Sequence, residues 1–296
     1  MKIAVVGAGA VGCYFGGLLA RAGSHVVLIG RDQHVDAIRK AGLLMNTQAF
    51  REAVPVTAST DISAIDGAGL VLCSVKSTDT QQIAGLMAPW LNAEATVISL
   101  QNGVENCQIL EAALARPVNP AVVYVATEMA GPGQVTHHGQ GRIIVGHRAL
   151  SIPQQQLFTA AGIPVAFSDN VAGMLWSKLS LNCAYNALSA ITQLPYRQLW
   201  ESPGIQDTMR AALAECLAIA AAEGISIPGD PWANIIRIAE TMPEQRSSTA
   251  QDLARKKPSE IDHLNGYIVR KAVEHRIPAP VNQLLYSLVK IQERQY

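Results

Sequence analysis

Charged residues are scarce in this chain and show no excess of either sign. Only 16% of its 296 residues are charged, well below the roughly 25% of an average soluble protein. Basic and acidic side chains number 23 each, so the formal net charge is +0 and no overall field attracts nucleic acid or anionic lipid. We therefore expect neither nucleic acid nor a membrane as a partner. The low charge predicts a large core and is compatible with a homodimer.

The sequence also lacks the cysteine and histidine spacings of a metal site. Its five cysteines are scattered, with no C-x-x-C pair, which argues against a zinc site and a disulfide framework and is typical of the reducing cytosol. His137 and His138 are adjacent and therefore point to opposite faces of a strand. We predict no bound metal.

Long apolar runs are absent as well. The longest helical candidate, residues 211–224, is interrupted by Glu215, and no segment reaches the roughly 20 residues that span a bilayer. The amino terminus, MKIAVVGAG, is too short and too rich in glycine for a signal peptide. We expect a cytoplasmic protein.

The first half of the chain contains short β-branched segments that alternate with helical patterns, as in a parallel sheet with crossover helices. The predicted strands are Lys2–Val6, His25–Ile29, Leu70–Val75, Thr96–Leu100, Ala121–Ala126 and Pro164–Phe167. Helices are predicted over Val11–Arg21 and Thr78–Leu91. After the Gly-Pro-Gly turn at 131–133, Gln134–His137 and Arg142–Val145 are predicted to form a hairpin.

Beyond residue 168 the period-2 pattern gives way to helical segments rich in alanine and leucine, which are broken by proline and glycine. We therefore predict an α/β protein with two domains. A Rossmann-type dinucleotide-binding sheet domain covers residues 1–168, and an all-helical C-terminal domain covers residues 169–296.

A glycine-rich turn, GAGAVG at residues 7–12, directly follows the first strand and opens a helix. The first glycine permits a tight turn, the second lets the backbone approach a pyrophosphate, and the third lets the helix pack closely on the sheet. The alternative is a glycine-rich turn without a ligand, but the strand–turn–helix context favours a dinucleotide. We expect the cofactor to contact Gly7, Ala8, Gly9, Ala10, Val11 and Gly12.

The end of the second strand indicates which dinucleotide binds. NAD enzymes usually carry Asp or Glu there, whereas this chain has Gly30 followed by Arg31. A guanidinium is a planar, permanently charged partner for a 2′-phosphate, so we favour NADP(H). Asp32 could instead turn inward, and Arg31 could be a solvated loop charge.

A polar stripe crosses an otherwise apolar predicted helix that follows Asp169. Lys178, Asn182 and Asn186 recur at i, i+4 and i+8 and so share one face. Burying any one of these groups without a hydrogen-bonding partner would cost roughly several kcal/mol of folding free energy. They therefore either pair with other protein groups at a domain interface or line a polar cavity, and the absence of other charge along the stripe favours a cavity.

Three further polar residues stand out. Pro258 predicts a helix start with Glu260 in its first turn, and the simpler interpretation of Glu260 is helix-start electrostatics alone. Lys76 and Asn102 each follow a predicted strand, where open α/β sheets bind ligands, although a surface charge and a helix cap are the simpler alternatives.

Together these segments resemble the ketopantoate reductase family over essentially the whole chain. The resemblance rests on IAVVGAGAVG at 3–12, SVKS at 74–77, QNG at 101–103, PGQVTHHG at 132–139, LWSKLSLNCAYNALSAIT at 175–192, SST-x-x-D at 247–252 and EIDHLNGYIV at 260–269. The Lys-x3-Asn-x3-Asn helix followed by EIDxLNG is its specific part.

The resemblance implies NADPH-dependent reduction of the small 2-oxo acid ketopantoate to (R)-pantoate, in pantothenate and coenzyme A biosynthesis. It implies that Lys178 is the general acid and that Glu260 lies by the nicotinamide and the substrate. The substrate residues would be Asn102, Asn182, Asn186 and Ser248, and Arg31, Lys76 and Asn102 would contact the cofactor.

The sequence departs from the family pattern on the substrate side. Gln245 stands where members often have asparagine, Thr249 replaces a common methionine, and residues 194–196 lack a polar side chain that some members use. The alternatives are therefore a paralogous NADPH-dependent reductase of another 2-oxo acid and a non-catalytic NADP(H) sensor. A coenzyme A-ester dehydrogenase would require a histidine near the domain junction, where none stands.

Overall fold

The structure is a computed structural model that describes residues 1–295. The chain divides into two compact units, Met1–Val171 and the residues from Ala172 onward. The first contains every strand of the described chain, and the second consists of helices and their connections.

Ten strands form a single mixed sheet in the first unit. Their bounds are β1 Lys2–Val6, β2 His25–Ile29, β3 Leu43–Asn46, β4 Arg51–Val54, β5 Thr57–Ser59, β6 Ala68–Cys73, β7 Thr96–Ser99, β8 Asn119–Gly131, β9 Gln134–Val145 and β10 Val165–Phe167. The order is β4-β3-β9-β8-β7-β6-β1-β2-β5, with β10 also paired to β9. All pairs are parallel except β3–β4 and β8–β9.

Twelve α-helices accompany these strands in the described chain. Their bounds are α1 Ala10–Arg21, α2 Asp32–Ala41, α3 Thr80–Met87, α4 Asn106–Leu114, α5 Ile152–Ala160, α6 Val171–Thr192, α7 Tyr196–Glu201, α8 Ile205–Ala222, α9 Pro231–Thr241, α10 Ser248–Ala254, α11 Asn265–His275 and α12 Pro280–Glu293. Within residues 1–295, none of the helices has the length and hydropathy needed to cross a bilayer.

The central strands are buried on both faces, which is the usual arrangement of a parallel sheet covered by helices. Along β1, Ile3 and Val5 belong to one hydrophobic cluster and Ala4 and Val6 to the other. A third cluster, built on α6, forms the core of the helical unit.

The predicted fold class is confirmed, with a Rossmann-type sheet domain and an all-helical C-terminal domain. β1 and β2 have their predicted bounds. The predicted hairpin between Gln134–His137 and Arg142–Val145 is wrong, because both segments belong to the single strand β9, which pairs antiparallel with β8. The residues between them form an irregularity in that ladder rather than a turn.

A second prediction fails at Pro258, where no helix begins. Glu260 instead precedes a short 3₁₀ helix, Ile261–His263, and α11 begins at Asn265. The periodic apolar residues of this segment do face a core, because Ile261, Leu264 and Ile268 are buried.

Candidate active site

The turn between β1 and α1 is held in a conformation that requires glycine. Gly7 has a φ of 112°, in the region that favours glycine over all other residues. The amides of Gly7 and Ala8 both donate to the carbonyl of Ile29 at the end of β2, at 2.9 and 2.8 Å. A Cβ atom on Gly7 would lie 2.6 Å from the backbone of Ser74, so this turn is packed against the segment that follows β6.

Gly9 and Gly12 differ in the space around them. A Cβ atom on Gly12 would lie 2.1 Å from the Gly7 carbonyl oxygen, whereas one on Gly9 would meet nothing within 4 Å. Gly12 therefore permits the close helix–strand packing, and Gly9 leaves open space at the start of α1. No side chain caps that helix, so its first turn presents backbone N–H groups as a pyrophosphate site requires.

Arg31 immediately precedes α2, and its guanidinium lies 3.4 Å from the carboxylate of Asp79. The Arg31 side chain is 82% exposed, and Asp32 is also exposed rather than turned inward. At Gly30, a Cβ atom would lie 2.5 Å from the Cβ of Ala8. The position at which NAD enzymes usually carry an acidic side chain therefore has no room for one.

Lys76 and Asn102 lie in two loops that follow the neighbouring parallel strands β6 and β7. A buried polar network joins these loops: the Ser77 hydroxyl donates to the Asn102 carbonyl at 3.1 Å, and the Asn106 amide donates to Ser77 at 3.0 Å. Gln101 adds a bond of 3.1 Å to the Val75 carbonyl. Both loops thus lie at the carboxyl edge of the sheet, together with the glycine-rich turn.

In the helical unit, Lys178 lies half-buried on α6, and Trp176 and Leu179, near it in the sequence, are buried. Desolvation lowers the pKa of the Lys178 ammonium from 10.5 to about 8, and the negative charge of Glu260 opposes this shift. Desolvation is the larger effect, because the charged form loses hydration that one carboxylate does not replace.

Asn182 and Asn186 continue the same face of α6, as their spacing predicts. The Asn186 side chain is 4% exposed, and its amide donates to the hydroxyls of Ser248 and Thr249 at 3.4 and 3.3 Å. The Ser247 hydroxyl donates to the Asn186 carbonyl at 3.1 Å. The structure therefore brings Asn186 and Ser248 together, while Asn182 is half-buried one turn earlier.

Each unit thus gathers one part of the predicted site. The first holds Gly7–Gly12, Arg31, Lys76 and Asn102, and the second holds Lys178, Asn182, Asn186, Ser248 and Glu260. Sequence analysis missed Asp79, which pairs with Arg31, and Asn106, which supports the loop of Asn102. Neither had a local signal, because the contacts that identify them join segments far apart in the chain. Among residues 1–295, no three potential metal-ligating His, Cys, Asp or Glu side chains come together.

Two family models match the chain. The one described as ketopantoate reductase PanE/ApbA covers residues 3–149, and the one described as its C terminal covers residues 170–293. A 2-dehydropantoate 2-reductase from Pyrococcus horikoshii is 31% identical over 298 residues, covering 99% of this chain and 98% of the relative.

Solved structures agree with these matches. A PanE/ApbA family ketopantoate reductase from Ralstonia eutropha JMP134 is 57% identical, with a TM-score of 0.97 and coverage of 100% of this chain and 99% of that one. A D-mandelate dehydrogenase, solved with NADH and anilino(oxo)acetate, shares the fold at a TM-score of 0.91 and 24% identity, with 99% of each chain covered.

Proposed function

Since the chain belongs to the ketopantoate reductase family, we propose that it uses NADPH to reduce 2-dehydropantoate (ketopantoate) to (R)-pantoate, with Lys178 as the general acid. The chain is an oxidoreductase, and its substrate is a small molecule. When bound, the nicotinamide supplies a hydride to the carbonyl carbon. The Lys178 ammonium stabilises the negative charge that develops on the carbonyl oxygen and then gives that oxygen a proton.

The observation that carries this proposal is the polar face of α6, on which the half-buried Lys178 is followed by Asn182 and by Asn186, which donates to Ser248 at 3.4 Å. Desolvation on this apolar helix also lowers the pKa of Lys178 to about 8. A general acid works best when its pKa lies near the operating pH, because it is then both protonated and able to release its proton. An exposed lysine would hold its proton too tightly. The apolar surroundings on α6 thus suit the amine to proton transfer.

The other polar residues of the helical unit have complementary roles in this proposal. Glu260 raises the pKa of Lys178 and so favours the protonated form that catalysis requires. Asn182, Asn186 and Ser248 bind the substrate through amide and hydroxyl groups, which donate and accept hydrogen bonds without adding charge. In the sheet domain, Asn102 contacts both the substrate and the cofactor.

We propose NADP(H) as the cofactor because of the residues that end β2. Gly30 leaves no room for the acidic side chain of an NAD enzyme, and Arg31 and Lys76 supply positive charge for a 2′-phosphate. The glycine-rich turn fits a pyrophosphate, since Gly9 leaves open space at the uncapped start of α1. The D-mandelate dehydrogenase of the same fold was solved with NADH, and a comparison of NADPH with NADH tests the choice of cofactor.

The test is turnover by the purified protein, followed as NADPH oxidation after ketopantoate is added. We expect (R)-pantoate as the product and a higher kcat/KM with NADPH than with NADH. NADPH binding without turnover on any 2-oxo acid would instead identify a non-catalytic sensor.

A second candidate is a reductase of another 2-oxo acid. The observation that favours it is Thr249, which departs from the family pattern and contacts Asn186 directly. A panel of aliphatic and phenyl-substituted 2-oxo acids, each assayed with NADPH, separates the two candidates. A kcat/KM for another acid well above that for ketopantoate would favour the second.

We also propose that the enzyme serves pantothenate and coenzyme A synthesis in the cytoplasm and acts as a homodimer. If so, a strain that lacks it and any isoenzyme grows only with added pantoate or pantothenate. Sedimentation of the purified protein tests the oligomeric state.

A further inference from the structure

The segment that carries Glu260 is attached to the last turn of α12. The backbone N–H and the hydroxyl of Ser259 both donate to one carboxylate oxygen of Glu293, at 2.8 and 2.7 Å. Ser259 is 2% exposed, and its hydroxyl also accepts from the N–H of Ile261 at 3.3 Å. Ser259, on one side of Glu260, is therefore held by a carboxylate 34 residues later in the sequence, and Ile261, on the other side, is bonded to Ser259.

A second attachment reaches the same segment from α12. The Lys290 ammonium lies 2.7 Å from the other Glu293 oxygen and 2.9 Å from the Asp262 carboxylate, and the Tyr286 hydroxyl donates to Asp262 at 2.7 Å. Burial alone would raise the pKa of Asp262, but the hydrogen bonds from Lys290 and Tyr286 lower it. The Asp262 carboxylate therefore stays ionised and keeps these bonds.

We propose that Glu293 is a positioning residue for Glu260: through Ser259 directly, and through Lys290 and Asp262, it holds the Glu260 carboxylate beside Lys178. This inference rests on the roles proposed above for Glu260 and Lys178. In this proposal, Glu293 contacts neither the substrate nor the cofactor and acts only through other residues. Its effect on the reaction is to fix the distance between the Glu260 carboxylate and the Lys178 amine, because that carboxylate favours the protonated form of the amine.

The pKa of Lys178 reports how close the Glu260 carboxylate lies to the Lys178 amine, because few other charges act on that amine. α6 carries no other charged residue between Val171 and Thr192, and Glu260 is the charge that raises the pKa of Lys178. Lys290 pairs with both Asp262 and Glu293. On the adjoining segments, His263 acts on Asp262 and Arg270 donates to the Asp262 carbonyl at 2.8 Å. If Glu260 moves away, the pKa of Lys178 must fall, because desolvation is then opposed less.

The experiment measures the pKa of Lys178 in the full-length protein by NMR of lysine labelled with 13C at Cε, with Lys178→Ala used to assign the resonance. Glu260→Gln gives the full effect of removing the Glu260 charge. We expect Glu293→Ala and Ser259→Ala each to lower the pKa of Lys178 by roughly half a unit to one unit, and not beyond the Glu260→Gln value. Glu293→Gln keeps an oxygen that accepts from Ser259, so we expect a smaller shift.

The matched control is Glu274→Gln. Glu274 forms the same i,i+3 pair with a lysine, Lys271, at 2.8 Å, but it lies on the exposed surface of α11. We expect this variant to leave the pKa of Lys178 unchanged. The midpoint of the pH dependence of kcat should move with the NMR value in every variant.

The proposal is overturned if Glu293→Ala and Ser259→Ala lower the melting temperature but leave the pKa of Lys178 at its wild-type value, because Glu293 would then be structural only. Should Glu293→Ala fail to fold, Ser259→Ala and Glu293→Gln carry the same test. A third outcome is that the variants change the pKa of Lys178 as expected but the wild-type protein does not turn over ketopantoate. This result would contradict the proposed function and leave the positioning role supported.

Discussion

The chemistry of Lys178 depends on two effects of opposite sign that act on one nitrogen atom. Loss of hydration favours the neutral amine, and the Glu260 carboxylate favours the ammonium. The balance leaves the pKa at about 8, so the amine is mostly protonated at neutral pH and releases its proton more easily than a solvated lysine. The burial that makes this lysine costly to stability thereby gives it the acidity that the proposed general acid requires.

Replacing Lys178 by alanine should lower kcat by roughly 10²–10⁴, the usual contribution of a general acid. The KM for ketopantoate should change less, because binding by the amide and hydroxyl groups survives. Steady-state assays with NADPH measure both values. Lys40→Ala, on the exposed face of α2, is the control and should leave kcat unchanged; wild-type turnover by Lys178→Ala would remove the amine from the mechanism.

The wild-type kcat should decrease as the pH rises through about 8, because the group must be protonated to act as an acid. The same profile in Glu260→Gln should fall at a lower pH, since the charge that supports the ammonium is gone. Assays from about two pH units below to about two units above the Lys178 pKa of about 8 measure both midpoints. A profile that stays flat across this range would contradict the assignment.

Arg31→Ala should raise the KM for NADPH roughly tenfold or more, which corresponds to the loss of a charge-assisted contact. Because NADH lacks the 2′-phosphate, its KM should hardly change in the same variant. The comparison of the two cofactors is its own control. Equal losses for both would show that Arg31 does not act on the 2′-phosphate.

At the scale of elements, the sequence was most informative where local pattern and tertiary context agree. β1 and β2 are short β-branched segments, and each is followed directly by a glycine that the packing requires. The bounds of both strands were predicted correctly. The strands β3, β4 and β5, which lie at or next to the edges of the sheet, were missed because they are short and partly polar, as in Arg51–Val54. Such strands are stabilised by their neighbours rather than by an apolar pattern.

The two wrong predictions have a common cause. In β9, Gln140 and Gly141 have positive φ and resemble a turn, but β8 continues alongside them with shifts in register. A bulge and a turn use the same residues, and only the partner strand distinguishes them. Likewise, Pro258 resembles a helix start, yet the segment after it is held by Glu293 in the distant helix α12. Long-range partners of this kind cannot be inferred from one local sequence.

Two glycines of the β1–α1 turn should respond oppositely to alanine. In Gly12→Ala, the new Cβ would meet the backbone oxygen of Gly7 at 2.1 Å, so we expect a loss of roughly 1–3 kcal/mol or more in stability. In Gly9→Ala, the new methyl group meets no protein atom, so stability should be nearly unchanged while NADPH affinity falls. Thermal unfolding and NADPH titration of both variants measure the two effects. If Gly9→Ala bound NADPH like the wild type, the turn would not be the pyrophosphate site.

At the scale of the whole molecule, the desolvated Lys178 ammonium lowers the stability of the folded protein. The folded protein binds the Lys178 proton more weakly than the unfolded chain does, since the pKa is about 8 rather than 10.5. Below pH 8 both states are protonated, and the full cost of desolvating the ammonium destabilises the folded state. Between pH 8 and 10.5 the unfolded chain binds more protons, so the contribution of this group to stability improves as the pH rises.

Lys178→Met should therefore make an inactive protein that is more stable than the wild type at pH 7. Methionine has a similar length and no charge, so the gain should be about 1–3 kcal/mol, reduced from the full shift because the side chain is only half-buried. Scanning calorimetry measures this gain in stability. The relevant transition is the one in which the helical unit unfolds, because the two compact units need not unfold together. The advantage over wild type should shrink as the pH rises from 8 towards 10.5, where the wild-type amine becomes neutral in the folded state. A control at an exposed lysine, Lys40→Met, should show no such pH-dependent gain. If Lys178→Met were less stable than wild type at pH 7 and equally so at pH 10, the ammonium would be well paired in the folded protein, and the acidity on which the proposed reaction depends would have no physical source.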